Sequence, residues 1–557
     1  MSISNPIPAK VPPFLVYEIE TPFGLGRFAP YQYERTVQQT RIRLFWGRIV
    51  AWCVGVFLVT WLLATSGLYF YVKYGRGFSE VRYEHMLLLP WRMEEYRRTK
   101  GEAWVKDGLK AAEAGDWRQA FDLLRGGLTS VPEAREARLM LARIYLMAGR
   151  TDQARETLLA GLAYHPDELD YLRTVLGFLF EQQADAAVIE ITTELGGRLA
   201  ADSPTGRMAA TARAFALFNR DAYTEAQAAF RSAGLSQTPE ARFVAARIAW
   251  EQGRREEALT RLRSLHAQVK SDEEIYRTLV YYLREAGQIG EARRVAFAHQ
   301  LEVPDRVEPR LDFIGACLAA GDAEAAAVAE ADVLRIFADD TSALLRLADG
   351  AAKQGRADTA WRVAARCREL GQEEAASTLI AVQAELERKD YTEALRRINL
   401  LAAQDSGARS AGSEKWSEIQ RQSLAGLRAV AVYGTGQAME SEPVLVLVRA
   451  SRGLSAATLT LLAGQLERVG PSQEVEQLLK IAVERDPLYQ PALVALLRRV
   501  AAAGDLSAAG PWIERLVGMR KPPKDLLNQL VERLNSDYYV YFSERGRLLA
   551  ELDSRRR

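Results

Sequence analysis

Two glycine-rich stretches, GLGRFA at 24–29 and GTGQAM at 434–439, touch the GxGxx pattern with which a dinucleotide-binding loop brings backbone amides against a pyrophosphate. Such a loop also needs a βαβ unit around it and an acidic residue about twenty positions on. After GTGQAM that window holds Ser455 to Thr458, and the flanks read as helices, so a helix–helix turn is the better reading. Three cysteines (Cys53, Cys317, Cys367) are too few for a disulfide framework or a four-thiolate zinc site. Four histidines (His85, His165, His266, His299) are scattered, without HExxH or a His-rich tract. Residues 403–455, the one irregular stretch where an active site could hide, hold neither His nor Cys. The expectation is a non-enzyme with no catalytic residue, cofactor or metal.

Net charge excludes another class. Lys and Arg number 73 against 72 Asp and Glu, a balance of +1, and the only basic run is Arg555–Arg557. No electrostatic case for nucleic acid follows. Apolar residues make up 48% and charged residues 26%, which suits a folded chain.

From Ile49 to Val72 the chain runs IVAWCVGVFLVTWLLATSGLYFYV without a charge. At about 1.5 Å per residue this crosses a hydrocarbon core of roughly 30 Å. Trp46, Trp52, Tyr69, Tyr71 and Tyr74 lie towards its ends, where amphipathic rings favour the interface. The 48 residues before it argue against a cleaved signal peptide. The reading is a single-pass anchor contacting lipid through 49–72. Arg35, Arg41, Arg43 and Arg48 precede it and Lys73, Arg76 and Arg82 follow, which favours a cytoplasmic N-terminus with the C-terminal part outside. High Arg and Ala usage with an uncleaved anchor suggests a bacterial inner membrane.

After Gly101 apolar residues recur at i, i+3, i+4 and i+7, the pattern of amphipathic helices. The same landmarks return every 34 residues: Gly115 and Gly149, Ala120 and Ala154, Pro132 and Pro166. Further on, Ala258, Ala292, Ala326, Ala360 and Ala394 keep the step, as do Gly253, Gly287, Gly321 and Gly355. Gly can take the left-handed conformation that closes a helix, a small Ala lets two helices approach, and Pro ends the unit. The pattern resembles the tetratricopeptide repeat (TPR), a helix–turn–helix unit of 34 residues. Its Trp, Gly, Ala and Pro landmarks fall on Trp104, Gly108, Ala120 and Pro132, and in the next unit Ala142, Tyr145, Ala154 and Pro166 match. Unit starts fall at 101, 135, 169, 207, 239, 273, 307, 341, 375, about 418, 456 and 490.

The fold class is therefore all-α: an α-solenoid of about twelve TPR-like helix pairs with one N-terminal transmembrane helix. Residues 1–45 are a Pro-rich tail, 46–74 the transmembrane helix and 75–100 a juxtamembrane connector. Residues 101–402 are repeats, 403–455 an irregular repeat with a loop insertion at 403–416, 456–520 further repeats, and 521–557 capping helices. Six of the twenty prolines stand in the tail, which favours extended chain, either disordered or docking a partner. The apolar half of 84–98 reads as packing on the first unit. Cys317 and Cys367 fall at positions between helices and read as small hydrophobes.

What the resemblance implies is non-covalent binding of a protein or peptide on the concave surface, lined by the first helices. On those positions stand Phe215, Phe218, Phe243, Arg247, Trp250, Arg277, Tyr281 and Arg284, aromatic and Arg types enriched at binding hot spots. The alternative use of the same side chains is filling between helices. Val105, Leu109, Leu139 and Arg143 depart from the family's carboxylate clamp, so that mode of capture is not expected. A scaffold or assembly factor is the leading expectation. The others are an adaptor regulating an envelope-biogenesis enzyme and an enzyme with its site in 403–455.

Overall fold

The structure, a computed structural model, describes residues 16–19, 31–34, 39–42, 46–75, 82–88, 92–200, 202–270, 272–410, 416–436, 453–470, 472–539 and 542–556. They fall into two compact units, Met1–Val175 and Leu176–Arg557, with the boundary inside α7 (Leu169–Glu181).

In the first unit the tail is not simply unpaired chain. β1 (Val16–Ile19), β2 (Tyr31–Glu34) and β3 (Gln39–Ile42) form an antiparallel meander, with Tyr17 registered on Tyr33 and Tyr33 on Thr40. The tail's prolines all fall outside these strands, whose own residues are rich in β-branched and aromatic types. GLGRFA and residues 1–15 lie outside the described residues.

α1 (Trp46–Phe70) continues through a π-helical turn to Gly75, and this helix is long and apolar enough to cross a membrane. Thr65 is the one buried residue of α1, while Phe57 and Leu63 stand 63% and 69% exposed. The connector differs from expectation. Its short helix α2 (Tyr83–Leu87) packs back on α1: Tyr83 meets Ser66 at 3.0 Å, the Trp61 indole donates to the Leu87 carbonyl at 3.1 Å, and Met86 is buried against Val72. α3 (Met93–Glu113) takes the rest of the connector straight into the first repeat.

The repeats are built as the sequence pattern dictates. In the first, α3 pairs with α4 (Trp117–Ser130), whose N-terminus is capped by Asp116 accepting from the Gln119 amide at 3.0 Å. Gly108 lies so close to Leu124 that a Cβ would come within 2.8 Å of that side chain. The second pair is α5 (Arg135–Met147) with α6 (Thr151–Gly161). Buried Arg138 ties them to the loop between repeats, donating to the Pro132 carbonyl at 2.6 and 2.8 Å and to Thr157 at 3.2 Å.

The second unit continues with α8 (Asp185–Gly196), α9 (Pro204–Asn219), α10 (Tyr223–Ser232), α11 (Pro239–Glu251), α12 (Arg255–Gln268), α13 (Glu273–Glu285) and α14 (Ile289–Glu302). Next come α15 (Glu308–Ala319), α16 (Ala323–Ile336), α17 (Thr341–Ala352), α18 (Ala357–Leu370), α19 (Glu374–Glu387) and α20 (Tyr391–Ser410). The landmark alanines 258, 292, 326, 360 and 394 are each wholly buried. Gly253, Gly287, Gly321 and Gly355 have φ between 65° and 76°, and the amide after the turn closes on the preceding helix, as Gln288 does on Leu283 at 2.8 Å.

α20 runs to Ser410, so the expected loop at 403–416 is helical over its first half; 411–415 lie outside the described residues. α21 (Glu418–Gly434) ends in a left-handed turn at Gly436, φ 81°, which is the helix-end reading of GTGQAM; 437–452 lie outside the described residues. α22 (Ala456–Leu466) pairs with α23 (Ser472–Arg485), and α24 (Gln490–Ala503) with α25 (Gly510–Gly518). α26 (Lys524–Leu534) and α27 (Arg545–Arg556) close the end. Between them, the Tyr539 hydroxyl donates to the Gly504 carbonyl and accepts from the Leu506 amide, satisfying the last turn's backbone.

Because Ala292 sits at a filled helix crossing, Ala292→Trp should destabilise the second unit by about 1–3 kcal/mol or more, read as a lower chemical-denaturation midpoint. An unchanged midpoint would contradict the repeat register.

Candidate functional site

The eight groove candidates lie on the first helices of three successive repeats, α9, α11 and α13, and they divide by burial. Phe218 and Phe243 are 0% and 4% exposed, so neither is presented on an open groove in this state, and Phe218 is covered by the chain's own Lys521; that part of the expectation is corrected. Helices in successive repeats approach closely enough that rings at these positions fill the space between them. Phe215 and Trp250 are half-buried against the same core, and Trp250 stacks on Tyr282 at 3.9 Å and 7°. Arg247 is held over the Phe218 ring at 4.5 Å and the Phe243 ring at 5.5 Å, with Glu274 at 3.8 Å. Arg277, Tyr281 and Arg284 are exposed at i, i+4 and i+7 of α13, one face of that helix. Arg277 is paired with Glu273 at 3.2 Å, and Tyr281 is 57% exposed.

Beneath α13 lies a buried titratable cluster that the scattered histidines gave no sign of. His299 is 2% exposed and stacks on Tyr276 at 3.9 Å; the His266 ring lies 6.0 Å from each of them. Glu273 and Glu302 stand 3.5 and 3.7 Å from the His299 nitrogens, and Lys270 binds Glu302 at 3.0 Å. Burial, then the neighbouring His299, holds the His266 imidazole below its ordinary value. Burial also lifts the Asp312 carboxyl above its usual range.

Sequence reasoning missed a second site. The first unit-2 turns carry side chains where most of the other turns carry glycine: Gln183 (φ 52°) and Asp221 (φ 64°). Gln183 is 34 residues after Gly149. Both turns meet the loop after α25, more than 290 residues away in sequence. Arg520 makes a two-pronged pair with buried Asp185 at 2.8 and 3.0 Å, and its amide donates to the Gln183 side chain at 3.4 Å. Asn219 donates to the same Asp185 at 2.9 Å. The Lys521 ammonium donates to Asp221 at 2.7 Å and to the Tyr223 hydroxyl at 2.8 Å, and lies 4.1 Å from the Phe218 ring centroid. Arg555 adds a bond to the Met519 carbonyl at 3.0 Å and stands 3.2 Å from Asp221. Desolvation pushes the Lys521 amine below its ordinary value, and it lifts the Tyr223 phenol. This arrangement can bind cations; it presents no nucleophile beside a base.

Cys317 and Cys367 are buried, with thiols pushed up by that burial, as inert packing residues would be. Among the described residues no group of three or more His, Cys, Asp or Glu could hold a metal. An open groove of about 560 Å³ between α14, α15 and α16, lined by Phe297, Phe313, Val328 and Ile336, involves none of the groove candidates.

Helix pairs at a 34-residue step, most of them closed by a left-handed residue and an inward alanine, define an α-solenoid repeat protein. Residues 111–176 match the tetratricopeptide repeat family profile, so the chain carries repeats of that family. No curated protein matches the sequence. Among solved structures, a tetratricopeptide repeat protein from Parabacteroides merdae is similar at 15% identity and TM-score 0.32, over 44% of this chain and 96% of that one. PilW, a type IV pilus biogenesis factor, matches at 21% identity and TM-score 0.25, over 42% of this chain and 93% of its own. Yeast Tom70 matches at 13% and 0.28, over 80% and 99%.

Two outcomes are expected here. Asp185→Ala strips three hydrogen bonds from Arg520 and Asn219 and should cost about 2–5 kcal/mol in urea unfolding; a neutral change would show the pair contributes nothing. The second concerns pH. The unfolded chain takes up a proton at His266 near its ordinary value of 6.5, whereas the folded chain resists it, so the unfolded state binds more protons below that pH. Stability should be full above pH 6.5 and fall as pH drops below it, and His266→Gln should flatten that slope. An equal slope in both proteins would assign it elsewhere.

Proposed function

We propose that the protein is a membrane-anchored scaffold or assembly factor that holds a protein or peptide partner without covalent chemistry. The observation that carries this is the exposed row Arg277, Tyr281 and Arg284 on α13, with Arg247 and Trp250 packed behind it. A Tyr offers large contact area at low entropic cost, and two flanking guanidiniums offer directed donors to carboxylates or carbonyls. Phe215, at the edge of the same core, supports the row from α9. The exposed apolar surface of α1 supports anchorage, since about 25 cal/mol per Å² favours removing such area from water. Four basic residues before the span and three after it support a cytoplasmic tail with the repeats outside, and high Arg and Ala usage supports a bacterial inner membrane.

Two experiments test this. Photocrosslinking from a benzophenone amino acid at position 281, in membranes, should give a discrete adduct that Arg277→Ala with Arg284→Ala removes while helicity is kept. An adduct unaffected by both changes would sink the assignment of this face. A reporter pair active on opposite sides of the membrane, fused after residue 557, should report the outside; a cytoplasmic signal would reverse the orientation.

A further inference from the structure

The paired turns at Gln183 and Asp221 are built differently from the rest of the array. Where the other early turns have glycine, these two hold residues with Cβ atoms at positive φ, a conformation costly for L-residues. Their side chains are used at once: Gln183 reaches the Leu488 carbonyl at 3.2 Å and accepts from the Arg520 amide, while Asp221 accepts from Lys521. Lys521 is itself at positive φ, 46°, so the backbone is strained on both sides of the contact. The occupant is a basic segment bent at Lys521, Met519 to Pro523, reading MRKPP. Its two cations fill two adjoining cradles, Asp185 with the Phe180 ring at 5.3 Å for Arg520, and Asp221 with Phe218 and Tyr223 for Lys521.

We infer that this edge of the solenoid is a receptor for a segment with consecutive Arg and Lys, held in this state by the chain's own Arg520–Lys521 as an internal, displaceable ligand. A partner that presents two consecutive basic residues competes for the cradles and opens the second unit. The contact suits exchange rather than permanent closure because it consists of charged groups and a few rings rather than an apolar core. Arg520, Lys521 and Arg555 draw on Asp185 and Asp221, with Glu251 also acting on Lys521, and Arg555 Nε has no hydrogen-bond partner. The closed state is thus incompletely satisfied. A competing segment meets the same carboxylates and rings with no loop strain to maintain. This inference is independent of whether the α13 face binds anything.

The test uses the full-length chain in detergent and a fluorescent decapeptide of residues 516–525, LVGMRKPPKD. In Arg520→Glu/Lys521→Glu the cradles are vacated, and the peptide should bind at least about tenfold tighter than to the wild type. Adding Asp221→Lys should abolish that binding. No binding to the vacated variant, with wild-type helicity, would overturn the inference. If the variant does not fold, amide hydrogen exchange of the wild type decides. Saturating peptide should accelerate exchange at the Met519, Arg520 and Lys521 amides while 219–226 stays protected and the α13–α17 core is unchanged. An unaltered exchange pattern at those three amides would show the contact to be fixed, and the receptor assignment would fall.

Discussion

Most helix pairs among the described residues depend on one backbone event, the left-handed residue that ends the first helix. Without it the chain cannot reverse in three residues, and the second helix cannot return its small residue to the crossing. Gly115, Gly149, Gly253, Gly287, Gly321 and Gly355 supply it at no steric cost, with φ from 65° to 81°. The amide that follows then closes on the helix behind, so the turn satisfies carbonyls that would otherwise be orphaned. Buried alanines at the crossings complete the unit, since two backbones approach only where a side chain is a single methyl.

That dependence makes the departures informative. Asp221 and Gln183 accept the strain of positive φ and turn it to use, because a turn with a side chain can reach across to another part of the array. Lys389 also adopts positive φ, 65°, yet makes no such bond. A missing glycine is therefore not a sufficient sign of a docking turn. The sign is a missing glycine with a carboxylate or amide in its place and a complementary cation in reach, and only the last of these needs three dimensions.

The same logic explains what was legible beforehand. The repeat was readable because every force that makes it is local: the i, i+4 stripe, the closing glycine and the inward alanine lie within one 34-residue unit. The long apolar helix α1 was readable because 24 uncharged residues run without a break. The groove was read in part. The family register located the right helices, but burial at a position depends on the neighbouring repeat, so Phe218 and Phe243 went into the core while Tyr281 stayed out. The cradles could not be read, because Asp185 and Arg520 are brought together by the accumulated rotation of many repeats. The strands at 16–42 were hidden by counting prolines over the whole tail rather than between them.

Two kinds of force thus act at two scales in the second unit. Within and between adjacent repeats, apolar burial holds the structure: Leu259, Leu262 and Leu279 are buried to within 1%. Salt affects such burial little at ordinary strength, and loss of one contact spreads only to neighbouring repeats. Closure across the array rests on Asp185–Arg520 and Asp221–Lys521, pairs whose carboxylates are largely buried, so competing charges rather than bulk salt can replace them. A solenoid can therefore keep every repeat folded while its long-range contact opens. That separation gives a repeat protein a movable part without an unfolding step.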